Sequence, residues 1–499
     1  MNLWKGLQYS LFSRTSIVVL EMIIISFLAF LNFAVVVRIT SLETVGLWLL
    51  LSSILGISRA ADIWSRGLSS YVAEARIKEN DREAVSYVTT AAITGAAGYF
   101  IVVCVALPSL YFVTPMLVDE QYHTTVRFIL PLMAIAFWLT SMSAVYQLGF
   151  LGFMAPGYKA VQTILGSLTF LILTIVLTPE YGIVGLIVAQ IIQALFMLVF
   201  AIFIFHNSLA PTNNLQFWDS KKFKQLALFG ASATGIGVLQ MVTEPILRLL
   251  ANYFGGLAFV SIIDFASRLI QVARNIVGSI GQNLIPSFAS QTNFRQNEQA
   301  RYFRVSMDVI FCLSVACLTI AVGISPLVGI LVLDLYNGSA QQFTSIFAIG
   351  WLTNLLVSPA YFLLFGRRQV GILLKFQLIM LLGMIGFGTL GGFFGGLTLS
   401  LLGAMTGVII SSVYLIATVT KMLFSIDNIV SWFTPRYMLM IVPLLCSLWI
   451  VNVPIRFMNV GALHSAIIIG FLTTLLAGIF FPYRKFFLML SELDKQGAD

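Results

Sequence analysis

The stretch TSLETVGLWLLLSSILGISRAAD, residues 40–62, is an apolar run of membrane-spanning length with an arginine and an aspartate near its end. One helical crossing of a bilayer needs about 20 predominantly apolar residues, so this run predicts a transmembrane helix. A charged side chain inside such a helix costs about 2.5–3.5 kcal/mol on insertion scales. Arg59 and Asp62, followed by Arg66, therefore indicate a polar environment within the membrane-spanning part of the chain.

The composition of the whole chain also indicates a lipid solvent. Hydrophobic residues make up 59% of its 499 residues and charged residues only 10%, whereas about 25% of a soluble domain is charged. About fourteen apolar stretches have spanning length, and the connections between them are too short for a separate soluble domain. The sequence predicts an all-α polytopic membrane protein with about 14 transmembrane helices. In a membrane protein the net charge of +8 reflects the positions of Lys and Arg on either side of the bilayer, so no nucleic-acid partner is expected.

The orientation follows from the Lys and Arg residues in the connections. About 20 of 23 such residues lie on the side of the N-terminus, and positive charge accumulates on the cytoplasmic side of membrane proteins. We therefore expect a multi-pass protein with both termini in the cytoplasm. The four cysteines, all in apolar runs, have no metal-ligand spacing. The sequence also contains no cofactor-binding motif, so neither a metal nor a cofactor is expected.

The chain contains an internal repeat. TSLETVGLW (40–48) aligns with GGLAFVSII (255–263), and the same spacing brings Gln162 onto Gln377. This spacing holds six predicted spans, an even number, so the two copies share one orientation. Parallel repeats of this kind are typical of transporters, whose substrates bind at the interface between the repeats.

The repeat predicts four parts of the chain. These are an N-terminal six-helix lobe at 1–205, a cytoplasmic linker at 206–225, a C-terminal six-helix lobe at 226–425, and two extra transmembrane helices with a cytoplasmic tail at 426–499.

Charges inside the predicted helices concentrate on the first two helices of each half. Because buried charges face protein or water-filled cavities, these helices are predicted to line an aqueous cavity. Asp264, Arg268, Gln271 and Asn275 fall at i, i+4, i+7 and i+11, on one face of a helix. The charged residues concerned are Glu21, Arg59, Asp62, Arg66, Glu244, Arg248, Asp264, Arg268 and Arg274.

A structural interpretation of these charges stays open. Asp62 with Arg59 or Arg66, like Asp264 with Arg268, has the spacing of an ion pair that only holds a helix. Arg274 is harder to explain in this way, since it has no acidic residue at i±3 or i±4.

Glu244 precedes Pro245 on the seventh predicted helix. A proline inside a helix removes a backbone hydrogen bond and favours a kink. The pair therefore predicts a buried carboxylate beside a hinge. Arg248, four residues after Glu244, is positioned to pair with it.

Three segments resemble one known family: ITSLETVGLWLLLSSILGISRAAD (39–62), LRLLANYFGGLAFVSIIDFASRL (247–269) and LGFLGFMAPGYKAVQTILGSLTFLILTIVLTPEYGIVGL (148–186). They are similar to polysaccharide flippases of the Wzx type, within the multidrug/oligosaccharidyl-lipid/polysaccharide (MOP) exporter superfamily. The resemblance implies a MATE-like fold of two six-helix lobes, with two additional C-terminal helices. It also implies alternating access in the bacterial inner membrane.

The substrate implied by this resemblance is an undecaprenyl diphosphate that carries an oligosaccharide, such as an O-antigen unit, moved from the inner to the outer leaflet for surface polysaccharide synthesis. Arginine forks suit a diphosphate, which makes Arg59, Arg274, Arg66 and Arg268 its expected ligands. Coupling to H⁺ or Na⁺ and a polysaccharide polymerase partner are further expectations. The candidates for polar lining or ion coupling are Glu21, Asp62, Glu244, Arg248, Asp264, Gln271 and Asn275, with Pro245 as a hinge.

Two other functions remain open. A cation-coupled multidrug exporter of the same superfamily would have an acidic cavity, whereas the helices here carry five arginines against four carboxylates. A membrane polymerase or ligase of surface polysaccharide would be an enzyme with a long catalytic loop outside the membrane, and no connection here is long enough. The sequence therefore favours a transporter that is not an enzyme.

Overall fold

The computed structural model describes residues 2–57, 65, 67–209, 218–282, 296–333, 338–367, 369–423, 435–452 and 462–480. Every regular element among these residues is helical. The helices are α1 (Asn2–Ile39), α2 (Leu42–Ile57), α3 (Leu68–Ile77), α4 (Asp81–Val113), α5 (His123–Gly152), α6 (Pro156–Ile204), α7 (Ser220–Gly255), α8 (Leu257–Gln282), α9 (Gln296–Leu333), α10 (Gly338–Leu356), α11 (Ser358–Gly366), α12 (Val370–Leu423), α13 (Pro435–Asn452) and α14 (Ala462–Phe480). Short helical turns occupy Thr114–Met116, Glu120–Tyr122 and Phe205–Leu209.

Several helices are suited to a bilayer. Among the described residues, seven helical ranges are long and apolar enough to cross a membrane. Large apolar side chains such as Phe112, Phe128 and Phe394 are exposed on their surfaces. A helix satisfies its own backbone hydrogen bonds, which lipid cannot do. The all-helical architecture follows from this requirement together with the apolar composition.

The two longest helices are each broken near the middle by a glycine. α6 has 49 residues and is interrupted at Gly182, where φ is +56°, and α12 has 54 residues and is interrupted at Gly396, where φ is +68°. Residues with a Cβ rarely adopt positive φ, so glycine is required at both breaks. The two glycines are separated along the chain by nearly the spacing of the sequence repeat. The starts of α2 and α8, Leu42 and Leu257, keep that spacing too, so the helix boundaries follow the repeat.

The chain divides into two compact units, Met1–Pro245 and Ile246–Asp499. In the first unit, α5 packs against α4 and α6, and α1 packs against α6. Its core lies where α3, α4 and α5 meet, and the stacked rings of Tyr71 and Tyr87, 5.3 Å apart, belong to it.

In the second unit, α9 packs against α10, α13 and α14. α10 also packs against α8 and α12. The two arms of α12 on either side of its break come into backbone contact, since a Cβ on Gly407 would lie 2.4 Å from the carbonyl carbon of Gly383.

Candidate functional site in the second unit

The charged group of the second unit lies on a helical hairpin. α7 ends at Gly255, α8 begins at Leu257, and Gly256 between them has φ of +84°, which glycine tolerates. Arg248 lies eight residues before Gly256 and Asp264 eight residues after it. In an antiparallel hairpin, residues equally far from the turn lie at the same level. The turn therefore brings these two side chains together.

Asp264 joins two arginines. Arg248 Nη2 donates to Asp264 Oδ1, and Arg268 Nε donates to Asp264 Oδ2, each at 2.5 Å. Asp264 is 3% exposed, whereas the side chains of Arg248 and Arg268 are 15% and 27% exposed. Each carboxylate oxygen accepts a charge-assisted hydrogen bond, which is stronger than a hydrogen bond between neutral groups. The group is a three-residue ion cluster that links α7 to α8.

Two helical turns along α8 lies a second polar group. Arg274 Nη1 donates to Gln271 Oε1 at 2.8 Å, and Gln271 Nε2 donates to Asn275 Oδ1 at 2.9 Å. The guanidinium carbon of Arg274 also lies 3.5 Å from the centre of the Trp351 ring on α10. Trp351 is buried. This tryptophan was not predictable from the sequence, because a lone aromatic residue in an apolar helix gives no sign of the cation packed on it.

The two groups together are rich in positive charge. They contain three arginines, Arg248, Arg268 and Arg274, and one carboxylate, Asp264, which binds the first two. Such a set can bind an anion through guanidinium N–H groups, since arginine offers planar forks that match phosphate oxygens. The structure thus places six residues that the sequence predicted for the site in two neighbouring groups on α7 and α8: Arg248, Asp264 and Arg268 in one, and Gln271, Arg274 and Asn275 in the other.

The equivalent positions of the first unit carry no charge. The spacing of the repeat brings the three members of the ion cluster onto Phe33, Leu49 and Ser53. These three side chains are all buried, at 1%, 3% and 6% exposure. The same helical hairpin therefore exists in one chain both with and without the ion cluster, and the cluster is not a requirement of the fold.

Glu21 of the first unit has a partner that the sequence analysis did not assign. Lys159 Nζ on α6 donates to Glu21 Oε1 at 3.0 Å, and Glu21 is 2% exposed. Its other oxygen, Oε2, is buried without a hydrogen-bond partner among the described residues. A signal was present, since Lys159 is the only Lys or Arg between residues 128 and 220.

Two predictions about α7 have different outcomes. Glu244 is exposed, so the prediction of a buried carboxylate at this position is wrong, whereas the neighbouring Pro245 and Ile246 are buried. The helix stays continuous through Pro245, and the hinge remains a prediction. Arg59, Asp62 and Arg66 lie outside the described residues, and their roles also remain predictions.

Solved structures with the same fold are known. The fold is similar to an inward-facing multidrug resistance MATE family transporter of the MOP superfamily, with a TM-score of 0.71 and 13% identity over 80% of this chain and 94% of that one. It is also similar to the lipid II flippase MurJ in an inward closed conformation, with a TM-score of 0.65 and 13% identity over 93% of this chain and 99% of the other. A Vibrio cholerae MATE transporter gives a TM-score of 0.57 at 16% identity, over 85% and 98% of the two chains. This chain therefore has a MATE- and MurJ-like fold.

A match to a family profile is more specific than the similarity of the fold. A family profile described as polysaccharide biosynthesis protein matches residues 12–291, and the chain belongs to this family. The comparison with curated protein sequences finds no match. The family, the fold shared with membrane transporters and the seven helical ranges of spanning length together indicate a multi-pass membrane protein.

Proposed function

We propose that this protein is a lipid-linked oligosaccharide flippase. It moves an undecaprenyl diphosphate carrying a glycan from the inner to the outer leaflet of the bacterial inner membrane by alternating access. The glycan then enters surface polysaccharide synthesis, where a polysaccharide polymerase is the expected partner. The observation that carries this proposal is the pair of polar groups on α7 and α8: Arg248 and Arg268 bound to Asp264, and Arg274 further along α8 against Gln271 and Trp351.

The charge of this group suits the chemical problem. A diphosphate carries about two negative charges and cannot enter hydrocarbon without compensation, since charged groups in lipid are costly. Arg248, Arg268 and Arg274 exceed Asp264 by two formal charges. They can neutralise the charge of the diphosphate and donate bidentate hydrogen bonds to its oxygens. An acidic group would instead suit a cationic drug.

The energetics of the cluster support a functional role. Replacing a buried ion cluster with well-packed apolar residues is often neutral or stabilising by about 1–4 kcal/mol. The first unit has apolar or small residues at the matching positions, including Phe33 and Leu49. Stability therefore gives little reason for charges in the second unit, whereas binding an anion does.

The remaining parts of the proposal come from the sequence. Six-helix lobes at 1–205 and 226–425 alternate access, with the linker 206–225 between them, the helices of 426–499 outside them and both termini in the cytoplasm. Arg59 and Arg66 add to the arginines that bind the diphosphate. Glu21, Asp62 and Glu244 are the candidates for coupling to H⁺ or Na⁺.

A flipping assay tests the proposal. The purified protein is placed in liposomes that contain a fluorescent lipid-linked oligosaccharide, and an impermeant quencher reports the fraction accessible from outside. We expect flipping in the wild type and its loss in the double variant Arg268→Ala, Arg274→Ala. Arg38→Ala, which removes an exposed arginine at the end of α1, is the matched control. Full flipping by the double variant would contradict the role of the arginines.

The same liposomes test the alternative. Export of ethidium under an ion gradient, without flipping of the lipid, would contradict the proposed function and support a multidrug exporter. A surface-glycan readout in a flippase-deficient strain, with protein levels checked by immunoblot, extends the test to cells.

A further inference from the structure

The contact between Arg274 and Trp351 joins two helices of the second unit. The guanidinium carbon lies 3.5 Å from the ring centre, well inside the distance of about 6 Å at which a cation is attracted to an aromatic face. Trp351 is 5% exposed, and its helix α10 packs against α8, which carries Arg274. Desolvation strengthens such a contact relative to one on a wet surface.

The contact fixes the orientation of the guanidinium. A guanidinium stacked on an aromatic ring has one face covered, while its N–H groups lie in its own plane and point away from its central carbon. Gln271 Oε1 accepts from Nη1 at 2.8 Å, which sets the rotation of the plane. Gln271 is itself oriented by its hydrogen bond to Asn275. The Trp351 ring thus restricts the plane of the Arg274 guanidinium. The side-chain amides of Gln271 and Asn275 restrict its rotation within that plane.

We propose that Trp351 is a positioning residue for substrate binding: its π face holds the Arg274 guanidinium so that the N–H edge meets a prenyl-linked diphosphate. This inference rests on the proposed function and adds to it a residue that touches no substrate. If the π electron density of the indole falls while its volume stays the same, the affinity of the site for the diphosphate should fall.

The alternative is that Trp351 only fills space. Shape and electrostatics are separable here, because fluorine withdraws density from the ring face and changes the ring size little. A packing role is insensitive to this change, whereas attraction of a cation weakens with each added fluorine.

The experiment uses full-length protein in detergent, with fluorinated tryptophans introduced at residue 351 by nonsense suppression. Farnesyl diphosphate is titrated by calorimetry, and inorganic diphosphate is titrated in a parallel arm to show whether the prenyl chain contributes. From tryptophan to tetrafluorotryptophan we expect the affinity for farnesyl diphosphate to fall stepwise by roughly three- to thirtyfold. In an Arg274→Gln background, fluorination at residue 351 should no longer change the affinity, because the cation is then absent.

Trp138 provides the matched control. It is a partly buried tryptophan on α5 whose Nε1 donates to the carbonyl of Ala96. The same fluorinated series at residue 138 should leave the affinity unchanged. Melting temperatures of all variants are measured, so that a loss of fold is recognised.

The outcomes separate the two proposals. Unchanged affinity in Arg274→Gln would contradict the binding role of this arginine and with it the proposed function. Loss of affinity in Arg274→Gln together with a flat fluorinated series at residue 351 would overturn only the positioning role of Trp351. If the affinity still fell stepwise with fluorination at residue 351 in the Arg274→Gln background, the positioning role would also be overturned, since the ring would then act on a group other than Arg274.

Discussion

Arg248 on α7 and Asp264 on α8 form an ion pair across the turn of a helical hairpin, 2.5 Å apart in space and 16 residues apart in sequence. Their equal distance from Gly256 explains the contact. Helical spacing identified Glu244, four residues away, as a neighbour of Arg248, and Glu244 is exposed, but spacing along one helix could not identify Asp264. Asp264 thus combines a link between two helices, to Arg248, with a pair along one helix, to Arg268.

The first prediction concerns the whole ion cluster. The triple variant Arg248→Met, Asp264→Leu, Arg268→Met should insert normally and melt at the wild-type temperature or above it, because apolar replacement of a buried ion cluster is often neutral or stabilising. It should lose flipping. Asp264→Leu alone should lower stability by about 3 kcal/mol, since it leaves two arginines without their shared carboxylate. Thermal melting in detergent and the liposome assay measure both properties, and a triple variant less stable than Asp264→Leu would contradict the argument.

The second prediction concerns the ion pair of the first unit. Lys159→Met leaves the buried Glu21 without its cation and should cost about 3–5 kcal/mol. Adding Glu21→Gln should recover most of this loss, because a neutral amide costs less to bury than a lone charge. Melting temperatures of the two single variants and the double variant give the coupling. Additive effects would show that the two residues act independently.

The third prediction concerns the close contact within α12. Gly407→Ala places a methyl group against the backbone of Gly383, and should destabilise the protein by about 1–3 kcal/mol. Gly386→Ala, on the same helix, is the control, since nothing described lies within 4 Å of its Cβ position. The loss of folded protein on heating, followed by size-exclusion chromatography, should separate the two variants. Equal melting would contradict the close approach of the two arms.

The fourth prediction concerns topology. In a variant without native cysteines, Gln121→Cys, between α4 and α5, should react with an impermeant thiol reagent added outside whole cells. Ser220→Cys, at the start of α7, should react only after the cells are opened. Both positions are exposed, and the excess of Lys and Arg on one side predicts their opposite locations. The reverse pattern would overturn the proposed orientation.

The helices were predictable because each depends on a local property, the length of an apolar run. The repeat was predictable for a related reason, since matching residues such as Gln162 and Gln377 keep a constant spacing. The positive φ of Gly182 and Gly396 then places the two breaks at matching points.

The partners of the charged residues were not predictable in the same way. Arg274 and Trp351, or Glu21 and Lys159, lie on helices that are distant in the sequence. Their contacts depend on how whole helices pack. Spacing along one helix can identify only neighbours three or four residues away, as it did for Asp264 and Arg268.

The ion pair between Glu21 and Lys159 has a consequence for biogenesis. The two residues are 138 positions apart, and at about 5–20 residues per second the ribosome needs roughly 7–28 seconds to reach the second after making the first. During this interval the first helix, which packs against α6 in the finished protein, has neither its packing surface nor its counter-charge. A charged side chain without a partner is costly inside lipid, so we expect the first helix to reach its final depth in the bilayer only after Lys159 has been made. Final docking of the first helix is therefore delayed until α6 has been made, and the newly made N-terminal helix is the segment that quality control has longest to inspect.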